Sequence, residues 1–216
     1  MKKALVLFVL FALPIVAYLF FASGVNSFAK LPVITPGIKE LSDWESLSGE
    51  KVKLAEKITI LGFPGSDILY NKGNAFNLNQ KIYNKNKDFN DFQIVMVAPE
   101  GTQGQAKELL AELSRITDIK GWHFVFAQPE QIKQYYNSLK LVGVLDEKTG
   151  TPNVFIIDKD RNLRGRKGAN KKGEAEYKEG YNTISVADLH NEMSDDVKII
   201  LAEYRLALKK NNKRKI

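Results

Sequence analysis

The sequence predicts an α/β domain, a central mixed sheet flanked by helices, with an N-terminal transmembrane helix ahead of it. Three observations carry this. From residue 58 onward, short β-branched or aromatic runs alternate with stretches of helical period. The 216 residues, 44% hydrophobic and 26% charged, have globular composition and suffice for one domain plus an accessory segment. Met1-Lys2-Lys3 is followed by nineteen uncharged residues, from Ala4 to Ala22.

That apolar segment extends about 28 Å as a helix, close to a hydrocarbon core of about 30 Å. Pro14 is tolerated in such a span. Lys2 and Lys3 hold the amino end in the cytoplasm, which sends the body across as a single-pass protein of the cytoplasmic (inner) membrane. On this reading, membrane lipid is a partner through Ala4–Ala22. The alternative is a cleaved signal peptide and secretion, with Ser27-Phe28-Ala29 as a late small-x-small cleavage site. The resulting organisation is an anchor or signal over 1–24, a tether over 25–48, a folded domain over 49–208 and a basic tail over 209–216. Pro32, Pro36 and Gly37 and the lack of a sustained period mark the tether.

Within the domain, Ile58–Phe63 is a short buried-strand run, and 69–85 is helix-like, with Phe76, Ile82 and Tyr83 near helical spacing. Phe92–Ala98 is the clearest strand. Thr102-Gln103-Gly104-Gln105 fits a capping box and opens a helix bearing Leu109, Leu110, Leu113 and Ile116 on one side. Trp122–Ala127 is a third strand, with Trp122, Phe124 and Phe126 on one face and His123 on the other. Pro129 suits the first turn of a helix holding Ile132, Tyr135, Tyr136 and Leu139. Asn153–Asp158 is a fourth strand, and a turn at Asp160 and Asn162 leads to a fifth near Leu163–Arg166. The last helix starts near Ser185–Asp188 and carries Leu189, Met193, Val197, Ile200, Tyr204 and Leu208 as an amphipathic stripe.

The order βαβαβαββα implies parallel pairing across the helices and one antiparallel hairpin. That arrangement is thioredoxin-like, and Thr151-Pro152 just before the fourth strand stands where that fold keeps a cis-proline. Four segments extend the likeness: ITILGFPGSD, GWHFVFAQPEQI, NVFIIDKDRNLRG and MSDDVKIILAEYR. On these the chain resembles the Sco/SenC family, membrane-tethered thioredoxin-fold proteins of cytochrome c oxidase copper assembly. The resemblance covers roughly residues 50 to 208. It implies a periplasmic domain and a partner that is a respiratory oxidase subunit or another periplasmic protein.

The family's copper site resembles a CxxxC motif in the loop after the first core strand, with a histidine before the strand that follows the cis-proline. Here that loop reads Phe63-Pro64-Gly65-Ser66-Asp67, so Phe63 and Asp67 stand nearest the two cysteine positions. The histidine's region reads Lys148-Thr149-Gly150-Thr151-Pro152. These groups have little affinity for Cu(I). The chain contains no cysteine, which excludes thiol oxidoreductase chemistry, disulfide scaffolds, thiolate metal sites and a lipid-acylated cysteine. The expectation is a cysteine-free member with no cofactor and no metal, acting as a binding or assembly factor. The alternatives are a thioredoxin-fold enzyme using non-thiol groups around Ser66, Asp67 and Thr151, and a structural periplasmic binding module.

The remaining candidates have plain structural alternatives. Seven of the 32 basic residues lie in the two termini, leaving 25 against 25 acidic ones in the body, so no nucleic-acid partner is expected. His123 reads as a half-buried strand histidine and His190 as a surface residue. Ser66 reads as a helix cap before it reads as a nucleophile. Arg161, Arg164, Arg166 and Lys167 form either an anion or partner surface or a solvated hairpin. The Lys209–Lys215 cluster either frays into solvent or lies on anionic headgroups.

Overall fold

The computed structural model describes residues 8, 10–16, 30–169 and 172–212, with side chains of the last helix described through Arg205. Its sheet has the strand order β1-β7-β6-β3-β4-β5-β2, with β10 pairing β6. These strands are β1 (Val33–Thr35), β2 (Glu45–Ser46), β3 (Ile58–Pro64), β4 (Phe92–Pro99), β5 (Trp122–Ala127), β6 (Gly150–Ile157), β7 (Leu163–Arg164) and β10 (Tyr181–Asn182). β3, β4 and β5 run parallel, and all other pairings are antiparallel, so the sheet is mixed. β8 (Arg166–Ala169) and β9 (Ala175–Lys178) form a separate hairpin.

The apolar runs are explained by burial on both faces. Ile58, Ile60, Ile94, Met96, Trp122 and Phe124 face one core. It is covered by α1 (Lys72–Leu78, continuing through a π turn at Asn79–Tyr83 into Asn84–Asn86), α2 (Gln103–Ser114) and α4 (Ser194–Asn212, preceded by a π turn at Asp188–Met193). Leu61, Phe63, Val95, Val97 and Val125 face the other, covered by α3 (Pro129–Ser138) and the lead-in residues Ile38, Leu41 and Leu54. The expected stripe of the last helix is buried at Leu189, Met193, Val197 and Ile200 and half-buried at Tyr204. Leu208 lies outside the described side chains.

Several expectations are corrected. The segment expected as a tether over 25–48 is built into the fold wherever it is described: β1 pairs with β7 and β2 with β5. Both partners would otherwise expose a sheet edge with unpaired backbone groups. Thr102 does not form a capping box, because its hydroxyl donates to the Pro99 carbonyl at 2.7 Å within the preceding turn. The capping box belongs instead to α3, where Gln128 N–H donates to Gln131 Oε1 at 3.1 Å. Ile116 falls beyond the end of α2 and is exposed. No cis peptide bond occurs among the described residues, so Thr151–Pro152 is trans.

The hairpin turn at 158–162 was expected from Asp160 and Asn162, and it is organised by Asp158. Its Oδ1 accepts the N–H groups of Asp160 (2.9 Å) and Asn162 (2.8 Å). Among the described residues no helix is long and apolar enough to cross a membrane. The segment 4–22 and Ser27-Phe28-Ala29 fall largely or wholly outside those residues, as do the side chains of Lys209–Lys215.

Candidate functional site

The loop after β3 and the approach to β6 meet at the carboxyl end of β3. Pro64 registers against Gly150. Gly65 has φ +70°, and a Cβ there would stand 3.0 Å from both Gly150 Cα and the Lys148 carbonyl, so only glycine fits. The next residue, Ser66, donates its N–H to that same carbonyl at 3.2 Å. Asp67 then pairs with Lys148 across the junction, Oδ2 to Nζ 2.5 Å. This hydrogen bond with Asp67 raises the Lys148 ammonium above its ordinary value.

The second segment is shaped by Asp146, whose Oδ1 accepts the Gly150 N–H at 2.6 Å. The turn so closed places Thr149 at φ +62°. Upstream, the Glu179 carboxylate accepts the N–H groups of Val142 (2.9 Å) and Gly143 (2.8 Å), tying this loop to the β8–β9 hairpin. Burial, with Glu179 nearby, pushes the Tyr136 phenol up to about 12.

Beneath the two segments lies a cavity of about 220 Å³. Ile68, Leu78, Met96, Leu109, Phe124 and Val154 give it apolar walls, while Asn71, Asn74, Asp146, Thr151 and Thr183 bring polar groups to it. Phe63, Pro64, Thr151 and Pro152 also line it. Gln105 fixes one side by donating Nε2–H to the Ser66 carbonyl at 3.0 Å and accepting the Leu69 N–H at 3.2 Å. Local pattern in the sequence places Gln105 in a helix cap, since it carries no signal of a contact with a segment nearly forty residues earlier.

The loop positions named from sequence therefore converge, with differences. The Phe63 ring packs edge-on against Tyr136 (centroids 5.1 Å apart) and Phe155 (6.3 Å), whereas Asp67 sits in the surface ion pair. Ser66 is not a helix cap, because α1 begins only at Lys72. Neither histidine serves Ser66 as a base: His123 lies at the amino end of β5, at the far end of the sheet, and His190 is exposed on the last helical segment. Burial is the main reason the His123 imidazole is held below its ordinary value.

The expected basic surface is also redistributed. Arg164 is buried, donating to Asp158 Oδ2 at 2.8 Å, to both Glu203 oxygens at 2.9 Å and to the Leu31 carbonyl at 2.8 Å. Arg166 donates to Asp196 Oδ2 at 2.7 Å and to Glu176 at 3.2 Å. Arg161 occupies the 158–162 turn at φ +59°, and Lys167 is exposed on β8. Arg164 and Arg166 are committed inside the chain, so these four residues do not form one free anion surface.

No family model matches the sequence, and no curated relative does. Solved structures do match. BsSco, described as a member of the Sco family of cytochrome c oxidase assembly proteins, superposes with a TM-score of 0.56 at 12% identity, over 79% of this chain and 98% of that one. A SCO1/SenC family lipoprotein from Bacillus anthracis str. Ames gives 0.56 at 14% identity, over 80% and 99%. The chain has the Sco-like thioredoxin fold. Within this Sco-like frame, the residues present do not suit the copper that the family's own site holds, as the sequence leads one to expect. Phe63 carries no donor atom, Asp67 is bound to Lys148, and the 148–152 segment contains no imidazole or thiol. Among the described residues, no group of three His, Cys, Asp or Glu side chains could hold a metal ion.

Proposed function

We propose that this protein is a Sco-type binding or assembly factor for a respiratory oxidase that works without thiol chemistry. The observation that carries the reading is the Asp67–Lys148 pair: a Sco-like fold presents an ion pair and a cavity at the junction where the resemblance would put copper ligands. A cation locked to a carboxylate neither coordinates Cu(I) nor exchanges electrons with a partner thiol. What it does provide is a fixed surface. Ser66 and Gln105 tie the two loops to each other and to α2 by backbone-directed hydrogen bonds, Asp146 closes the second loop, and Gly65 lets the two approach closely, a rigidity suited to docking. Support for the oxidase as partner comes from BsSco, described as belonging to a family of cytochrome c oxidase assembly proteins. The uncharged segment 4–22 behind Lys2 and Lys3 supports tethering in the cytoplasmic membrane with the domain on the periplasmic side.

The test is oxidase activity and oxidase copper content in a strain lacking the protein, with and without added copper. Loss of both, restored by the full chain, is the expected result. Unchanged activity and copper content would overturn the assembly role.

A further inference from the structure

We infer that the cavity between α1, the sheet and Thr183–Ile184 receives one apolar side chain of a partner polypeptide, while a neighbouring lysine or arginine of that partner meets Asp146 and Glu147. The inference rests on the reading of this protein as a factor that docks another protein. Size is the first argument. About 220 Å³ falls below the roughly 300–1,000 Å³ of pockets that hold drug-sized ligands, and suits a single side chain. Chemistry is the second, because the walls are Ile68, Leu78, Met96, Leu109, Phe124 and Val154. Gly62 makes this wall possible: a Cβ there would stand 2.5 Å from Met96 Sδ.

The surroundings are apolar in a way a free surface seldom is. Ile184, which lines the cavity, is 63% exposed, and Tyr70, next to the lining residue Asn71, is 89% exposed. Val142 and Val144, just upstream of Asp146, are 78% and 81% exposed. Exposed apolar groups on a polar-rimmed opening and on the segments leading to it mark a contact site, and an aliphatic anchor seated in a pocket is a common core for such a contact.

Charge selects the occupant. Among the described residues, Asp146 is the single ionisable group lining the cavity. The two loop segments 63–67 and 146–150 that meet there carry three acidic residues, Asp67, Asp146 and Glu147, and one basic residue, Lys148, whose hydrogen bond goes to Asp67. Among the described residues, the one hydrogen bond to the Asp146 carboxylate comes from the Gly150 backbone N–H, and none reaches the Glu147 side chain. The mouth therefore carries excess negative charge and favours a cationic neighbour on the incoming segment.

The experiment uses the full chain carrying ¹³C-methyl methionine. Of its three methionines, Met96 forms a cavity wall and Met193, buried in the turn ahead of α4, is an internal control. The probes are acetyl-Gly-Leu-Lys-Gly-amide, its Leu-Glu counterpart and its Ser-Lys counterpart. The Leu-Lys peptide should shift the Met96 methyl signal saturably and leave Met193 in place, and the Ser-Lys peptide should shift neither. The Leu-Glu peptide, or the Leu-Lys peptide against Asp146→Asn/Glu147→Gln, should bind about five-fold more weakly. The asparagine still accepts the Gly150 N–H, so the loop is preserved. Ala75→Leu, which fills the cavity from α1, should abolish the Met96 response in a chain whose Met193 signal is unchanged.

No Met96 shift with the Leu-Lys peptide, or equal binding of the Lys and Glu forms, overturns the inference. The two readings fail separately. An Ala75→Leu chain that fully restores the oxidase removes the cavity's role and leaves the assembly role standing. A deletion with no oxidase phenotype, alongside an intact Met96 response, does the reverse.

Discussion

Arg164 holds Asp158 across the β6–β7 hairpin, Nη1 to Oδ2 at 2.8 Å, with both side chains buried. The same guanidinium reaches Glu203 on α4 and the Leu31 carbonyl in the lead-in, so one side chain joins three parts of the chain far apart in sequence. Removing it takes the charged donor from two carboxylates and from a carbonyl, leaving Asp158 and Glu203 only neutral donors. Arg164→Met is expected to cost about 3–5 kcal/mol, the range for breaking a buried pair. Urea denaturation of the variant should show this as a lower midpoint. A loss below about 1 kcal/mol would show that the pair contributes no more than a surface one.

Gly65 is the second sensitive point. A side chain there meets backbone on two sides and must also adopt φ +70°. Left-handed backbone alone costs an L-residue roughly 1–2 kcal/mol, and the contacts with Gly150 and Lys148 add to it. Gly65→Ala should therefore lower stability by at least that amount, whereas Gly49→Ala, with φ +75° but open space, should show only the conformational cost. Equal losses in the two variants would mean the loop yields to the added methyl.

Gln105 gives a local test. With its amide gone, the Ser66 carbonyl and Leu69 N–H lose their partner on α2. Gln105→Ala should cost about 1 kcal/mol, and amide exchange at Leu69 should quicken while Ile60 and Ile94 in the central strands keep their protection. Uniform quickening across the sheet would instead point to a global effect.

These residues also show where the sequence is legible and where it is not. The strands β3 to β6 and helices α2, α3 and α4 follow from period and composition, because burial on one or two faces leaves a local imprint: Trp122, Phe124 and Phe126 face one core as their alternation indicates. The edge strands β1 and β2 leave none, being two or three residues long and set by partners more than a hundred and about eighty positions away. Arg164 looks like a surface charge until Asp158 and Glu203 are seen beside it. At the site, the convergence of Phe63, Pro64, Thr151 and Pro152 was legible from the fold's own logic. The Asp67–Lys148 pair, the Gln105 strut and the Asp146 turn depend on tertiary approach, for which a single sequence carries no periodic signal.

The last prediction concerns pH. His123 sits at the amino end of β5, where burial lowers its imidazole below the ordinary value of 6.5; Glu50 nearby raises it and Lys57 lowers it further. Because the folded value is the lower one, the unfolded chain takes up the proton first as pH falls. Stability from this group is thus fully present above about pH 6.5 and is lost as pH drops through the folded value. His123→Gln removes the titration and keeps a polar side chain at the half-buried position. Urea midpoints measured from pH 7.5 to 5.5 should fall more steeply for the native chain than for His123→Gln. Parallel profiles would assign any acid sensitivity in that window to other groups, and a midpoint that rises on acidification would mean the imidazole is stabilised in its charged form.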